Sequence, residues 1–256
     1  MIVADYIGTT ARMVPVRWST SISESEGEPY SFVDSRAKRW AFASSRKLPR
    51  EWDVSVVASS RDAATLREIL HGGWGHGPFR WVPAVAHQSN VLTPAQSLLR
   101  GLAVAGGMDT ADGWAPASVL GPAPVTLASG ASVLPGAPLT VSVDTTGAAT
   151  LTVVLRNATG GVVSTLTATA AGTLAQRLSL SIPTVAATAR TVDVQVSGHT
   201  RAARPQVTWT RGPVPYGIGA GADSVVLASA GRAAKVIARG SGDVWSDVTV
   251  KILEVG

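Results

Sequence analysis

His71-Gly72-Gly73-Trp74-Gly75-His76-Gly77-Pro78-Phe79-Arg80-Trp81-Val82-Pro83 is the stretch on which the reading of this 256-residue chain turns. Its glycines permit positive φ and tight turning, so a regular helix is excluded. Trp74, Phe79 and Trp81 bring large apolar area to a segment that would otherwise have little. The stretch reads as a tight loop ending in a short strand, Phe79 to Val82. Trp74, Gly75, Gly77, Pro78, Phe79, Trp81 and Pro83 are expected to hold the first part of the chain together, with no ligand chemistry of their own.

Just upstream, Glu51 to Ala58 alternates, with Trp52, Val54 and Val56 on one face and Glu51, Asp53 and Ser55 on the other. Ser59-x-x-Asp62 resembles a capping box. Leu66, Ile69 and Leu70 then make an apolar helical stripe that Gly72 and Gly73 stop. Further back, Met13 to Trp18, Tyr30 to Val33 and Trp40 to Ala43 read as short strands, and Ser19 to Pro29 as a polar loop.

Downstream, Thr93 as N-cap, Pro94 at N1 and Gln96 at N3 predict a short helix through about Leu102, with an extended connector as the alternative. Composition changes near residue 100, which places a boundary there. From Val125 onward, short alternating strands recur. Leu139, Val141 and Val143 form one set, and Leu151, Val153 and Leu155 another. Leu178, Leu180 and Ile182 follow, then Val192, Val194 and Val196. Asn157 to Gly161 makes a turn between two of them. Val225 to Ala228, Ala234 to Ala238 and Val244 to Leu253 are expected to complete the same sandwich. The fold expected is all-β dominated. Residues 1–100 form an N-terminal β-sandwich with one amphipathic helix, and 101–256 a C-terminal β-sandwich or jelly roll.

Cysteine is absent, which removes disulfides and thiol nucleophiles and disfavours structural zinc. The net charge of +5 is spread over both parts rather than gathered in a patch, against nucleic-acid binding. The first residues lack the basic and apolar regions of a secretory signal, and no apolar run is long enough to span a bilayer. Glu24, Glu26 and Glu28 on the polar loop read as a solvated tip rather than metal ligands, and His71 and His76 lack a third ligand. Gly217-Ile218-Gly219-Ala220-Gly221 sits between strands without a βαβ unit, so it is no dinucleotide fingerprint. No nucleophile elbow, zincin helix or facing carboxylate pair stands out. The chain reads as neither an enzyme nor a holder of a cofactor or metal.

By strand parity Trp209 belongs to a core. Trp245 shares its face with Asp247, Thr249 and Lys251 and is expected to face solvent. A sugar could stack there, with Tyr216 and Arg211 bonding its hydroxyls.

Three stretches resemble the distal tail proteins of long-tailed bacteriophages, especially those of actinobacterial hosts. They are Trp40 through Val56, Gly75 through Pro83, and Ser89-Asn90-Val91-Leu92-Thr93-Pro94-Ala95-Gln96-Ser97. Arg204 to Trp209, Val214-Pro215-Tyr216-Gly217 and Ile252 to Gly256 resemble motifs of a carbohydrate-binding-module-like sandwich appended in such proteins. The resemblance implies a structural virion protein, assembled in the host cytoplasm into a homo-hexameric ring at the distal end of the tail. Its partners would be the tail tube protein and the tail tip hub protein, with host attachment through a cell-surface glycan as an accompanying task. A carbohydrate-binding adsorption module is the alternative reading, and a cell-envelope depolymerase the third.

Overall fold

The computed structural model describes residues 4–16, 19–26, 30–35, 38–43, 49–172, 174–228, 237–238 and 244–255. The first elements are β1 (Asp5–Gly8), β2 (Met13–Val16), β3 (Ser19–Glu26), β4 (Tyr30–Ser35), β5 (Lys38–Ala43), β6 (Arg50–Ser59) and α1 (Ser60–Leu70). Next come β7 (Phe79–Val82), α2 (Ala84–Ser89), α3 (Pro94–Ser97), β8 (Met108–Thr110), β9 (Gly113–Ala115) and β10 (Val119–Leu120). The sandwich strands are β11 (Val125–Ser132), β12 (Leu139–Thr146), β13 (Ala149–Arg156), β14 (Val162–Ala170), β15 (Gln176–Ile182), β16 (Thr191–Ser197) and β17 (Arg201–Thr208). β18 (Ala222–Ala228), β19 (Ile237–Ala238) and β20 (Val244–Glu254) end the chain. The structure is thus dominated by β-strands in antiparallel sheets, as the alternating patterns predicted.

The chain forms two compact units, one from Tyr6–Val14 and Arg80–Asp223, the other chiefly from Pro15–Phe79 and Ser224–Gly256. This division does not fall at residue 100. The physical reason is pairing: β20 runs antiparallel to β6 from Trp245↔Ser59 to Leu253↔Glu51. The last strands therefore belong with the N-terminal segment instead of completing the second sandwich. The pivotal stretch is where the chain passes from the second of these units into the first.

In the unit built on 15–79 and 224–256, the strands run in the order β18–β20–β6–β3, with β19 beside β20. Trp52 and Val54 of β6 are buried opposite Ile252 and Val250 of β20, the face that alternation assigned to the core. Ser19 to Glu26 is a strand rather than a loop, because β6 pairs with it antiparallel from Ser21 to Glu26 and again, past a bulge, at Ser19. Its polar residues suit an edge that keeps one side in water. Leu66 and Ile69 of α1 are buried. The helix ends in a Schellman motif: Gly72 has φ +78°, its N–H bonds the Ile69 carbonyl at 3.0 Å, and that of Gly73 bonds the Glu68 carbonyl at 2.8 Å.

At the mouth of this sheet Arg50 is buried and bonds Glu254 twice, Nε to Oε2 at 2.9 Å and Nη2 to Oε1 at 3.2 Å. Glu24 lies 3.6 Å from Arg50 Nη1. One of the three loop glutamates is thus an ion-pair partner of a buried guanidinium. Glu28 lies outside the described residues.

The other unit is a two-sheet sandwich, β10–β17–β12–β15 facing β11–β16–β13–β14. Leu139, Val141, Val143, Leu151, Val153, Leu155, Val192, Val194 and Val196 form its shared core. Trp209 is buried there as parity required, with Nε1 donating to the Ser132 carbonyl at 3.2 Å and its ring stacked on His87. β7 pairs with β1, setting Trp81 against Ile7. Arg80 reaches from β7 to β11, donating to the Gly130 carbonyl and, at 3.2 Å, to the Ser132 hydroxyl.

The capping box at Thr93 is present, with Gln96 N–H bonding Thr93 Oγ1 at 3.2 Å and Thr93 N–H bonding Gln96 Oε1 at 3.1 Å. The helix stops at Ser97 instead of Leu102, because Leu99 at φ +58° and Gly101 at φ +85° turn the backbone left-handed. The glycines of 217–221 serve close approach. A Cβ on Gly219 would meet the Leu92 carbonyl oxygen at 2.2 Å, and one on Gly221 the Val91 carbonyl oxygen at 2.0 Å.

Candidate functional site

Strand β12 is buried on both faces, which plain alternation does not predict. Leu139, Val141 and Val143 face the sandwich core, while Thr140, Ser142 and Asp144 point the other way and are buried as well. Buried polar groups demand partners, and the segments over this outer face supply them. Gln206 Nε2 donates to the Ser89 carbonyl at 2.6 Å and the Pro215 carbonyl at 2.9 Å. Asn90 Nδ2 donates to the Gly217 carbonyl at 2.9 Å, and Tyr216 Oη to the Ser97 carbonyl at 3.1 Å.

Asp144 and Arg177 are directly paired residues of β12 and β15. Arg177 Nη1 donates to Asp144 Oδ1 at 2.9 Å, and its Nη2 donates to Ser142 Oγ at 2.8 Å and to Gln206 Oε1. Arg204 has φ +51° where the β12–β17 register shifts, a bulge that redirects its side chain. Its Nη1 donates to Thr110 Oγ1 at 2.9 Å and its Nη2 to the Trp114 carbonyl at 2.7 Å. Both guanidinium groups stand over the Tyr216 ring, at 5.8 Å for Arg177 and 5.2 Å for Arg204.

Above this floor opens a cleft of about 580 Å³, lined by Asp112, Arg177, Arg204, Pro213, Val214, Pro215 and Tyr216. Burial pushes the Asp144 carboxyl up from its ordinary range, partly offset by Arg177 and Arg204. Burial likewise raises the Tyr216 hydroxyl, offset by its bond to Ser97 and by the two arginines. Asp144 is closed in beneath the guanidinium groups at 1% exposure. The cleft wall therefore carries a single carboxylate, Asp112. This arrangement offers charge, hydrogen bonds and an aromatic edge for binding, without a second lining carboxylate for glycosidic acid–base work.

Tyr216 thus lines the cleft, but its hydroxyl and ring are already engaged by Ser97 and the arginines. Arg211 is exposed and outside the lining. Trp245 lies on β20 opposite Ser59 and Ile237, in the unit that does not contain Tyr216, and its side chain is outside the described residues. The three residues expected to form one sugar site are therefore not drawn from one unit.

In the pivotal stretch, Phe79, Trp81 and Pro83 are buried, Trp74 is half-buried and Pro78 is exposed. Gly75 and Gly77 have φ of +90° and +80°. His71 and His76 are both exposed, and no cluster of three metal-ligating side chains occurs among the described residues.

Asp112, Trp114 and Arg177 are not marked as site residues by any pattern in the sequence, and Arg204 enters there only as the first residue of a family-like motif. Asp112-Gly113 is a hairpin signal that was available. The arginines gave none, since only strand pairing brings residues 144, 177 and 204 together.

No protein-family model matches the chain, and no curated protein matches it. Among solved structures, the enzymatically active domain of bacteriophage CBA120 tailspike protein 4 aligns at 6% identity and TM-score 0.27, over 74% of this chain and 19% of that one. Infectious bursal disease virus Gx strain aligns at 12% identity and TM-score 0.23, over 88% and 38%. The Gt strain of that virus aligns at 11% and TM-score 0.27, over 98% and 64%. The chain spans less than two thirds of each of these structures, and likenesses this distant argue for neither a shared fold nor a shared role.

Proposed function

We propose that this chain is a structural component of a phage tail, a ring-forming adaptor at the distal end that carries a sandwich module. One observation carries the reading: β6 and β20, from opposite ends of the chain, share a sheet, and the sandwich strands lie in sequence within an insertion, Arg80 to Asp223, between Phe79 and Ser224. An insertion whose two ends both return to one anchoring unit suits a scaffold that holds a module for presentation. The motif resemblance at Trp40–Val56, Gly75–Pro83 and Ser89–Ser97 supplies the tail assignment. The cleft, with one lining carboxylate, favours binding over hydrolysis.

The partners in this proposal are five further copies of the chain, the tail tube protein and the tail tip hub protein. Cryo-electron microscopy of the virion is the test. The chain is expected in a ring of six at the distal end of the tail. A ring symmetry other than six-fold or three-fold, or density at another place in the particle, sinks the proposal.

A further inference from the structure

The β8–β9 hairpin forms a wall of the cleft through Asp112 and carries a tryptophan that burial does not explain. Trp114 is 60% exposed, the largest apolar side chain left in solvent among the described residues. Yet it is firmly placed. Its indole lies so close to Gly107 that a Cβ there would meet Cζ2 at 2.2 Å, and its carbonyl accepts the bond from Arg204. Asp109 is its direct cross-strand partner, also exposed, so both side chains stand on the outer face of the hairpin while Met108, Thr110 and Ala115 turn inward. Asp112 lies two residues away, in the turn of the hairpin, and lines the cleft.

We propose that Trp114, Asp109 and Asp112 form a saccharide-binding platform that leads into the Arg177–Arg204 cleft. A pyranose ring has an apolar C–H face that covers an indole, and edge hydroxyls that donate to carboxylates and accept from guanidinium groups. The two carboxylates repel phosphate chains, which sets nucleic acid aside. The hairpin holds the indole in place before binding, so little side-chain freedom is lost on contact. The proposal deepens the reading of the sandwich as a presented module, and rests on it only for its biological purpose.

The experiment is affinity electrophoresis of the full chain through native gels containing dextran, yeast mannan, galactan or arabinogalactan. Wild-type protein is expected to be slowed in at least one gel. Trp114→Ala should weaken that binding at least tenfold, about 1.4 kcal/mol, and Val162→Ala, at an exposed position on the other sheet of the sandwich, should leave it unchanged. Trp114→Phe should keep part of it, and Asp112→Asn, an isosteric change on an exposed turn, guards against loss of fold by weakening binding without touching the indole. Free migration in all four gels overturns the proposal, as does retardation that survives both Trp114→Ala and Asp112→Asn. Specific binding of phosphocholine without any polysaccharide overturns it too, since a cation would then be the ligand. None of these results bears on the ring, and the symmetry seen in the virion does not bear on the gels.

Discussion

Replacing Glu254 with alanine removes one side of a buried ion pair and leaves the other in place. Arg50 and Glu254 have side chains 4% and 2% exposed, joined by two bonds of 2.9 and 3.2 Å, with Arg50 also 4.9 Å from the Trp52 ring centroid. Without Glu254 the guanidinium still has Glu24, at 3.6 Å and on a side chain 38% exposed, where water screens the attraction. Removing one partner of a buried pair costs about 3–5 kcal/mol, because the remaining charge stays desolvated. Glu24 recovers some of this, so about 3 kcal/mol is expected. For a unit of this size each kcal/mol moves the midpoint by about 4–8 °C. Calorimetry should show the transition of the unit holding β6 and β20 lowered by more than 10 °C, by that scale. The sandwich transition should hold its position. Arg50→Met combined with Glu254→Leu should recover most of the loss, since an apolar pair leaves no orphan charge. A loss below about 1 kcal/mol, the range of a surface pair, would refute the reasoning, as would an equal shift of both transitions.

Two further outcomes are expected. Trp81 is completely buried, so Trp81→Ala should cost about 3–5 kcal/mol in urea unfolding, whereas His76→Ala, at an exposed position, should change stability by no more than about 0.5 kcal/mol. The reverse ordering would assign the loop's role to its histidines. His199 is buried with neither ring nitrogen hydrogen-bonded, and burial lowers its pKa. Its folded value thus lies below the unfolded value of about 6.5, so the unfolded chain binds the proton more readily. Stability of the sandwich should be full above that pH and fall as pH drops through it. His199→Leu should flatten the dependence between about pH 5 and 7, and an unchanged slope would point to another group. Asp144, raised by burial, acts in the opposite sense at lower pH, where stability falls as pH rises from the unfolded carboxylate value toward the folded one.

Features governed by short-range physics were legible in the residues alone. Alternation at Trp52 and Val54, and at Leu139, Val141 and Val143, marked the buried faces, because a strand's side chains alternate whatever its neighbours are. The stop at Gly72 and the cap at Thr93 are equally local, since each is made by bonds among residues three to five apart. Which strand meets which depended on long-range packing. Val244 to Glu254 has the pattern of any half-buried strand, and nothing in it distinguishes a place in the sandwich from a place beside β6. The polar run Ser19 to Glu26 looks like a loop until β6 supplies hydrogen-bond partners. Asp144, Arg177 and Arg204 read as scattered charges on strand faces bound for solvent. They became a cluster, with Asp144 buried and both arginines half-buried, because residues 89–97, 108–115 and 213–217 lie over that face, and a cover drawn from distant parts of the chain leaves no period in the residues it hides.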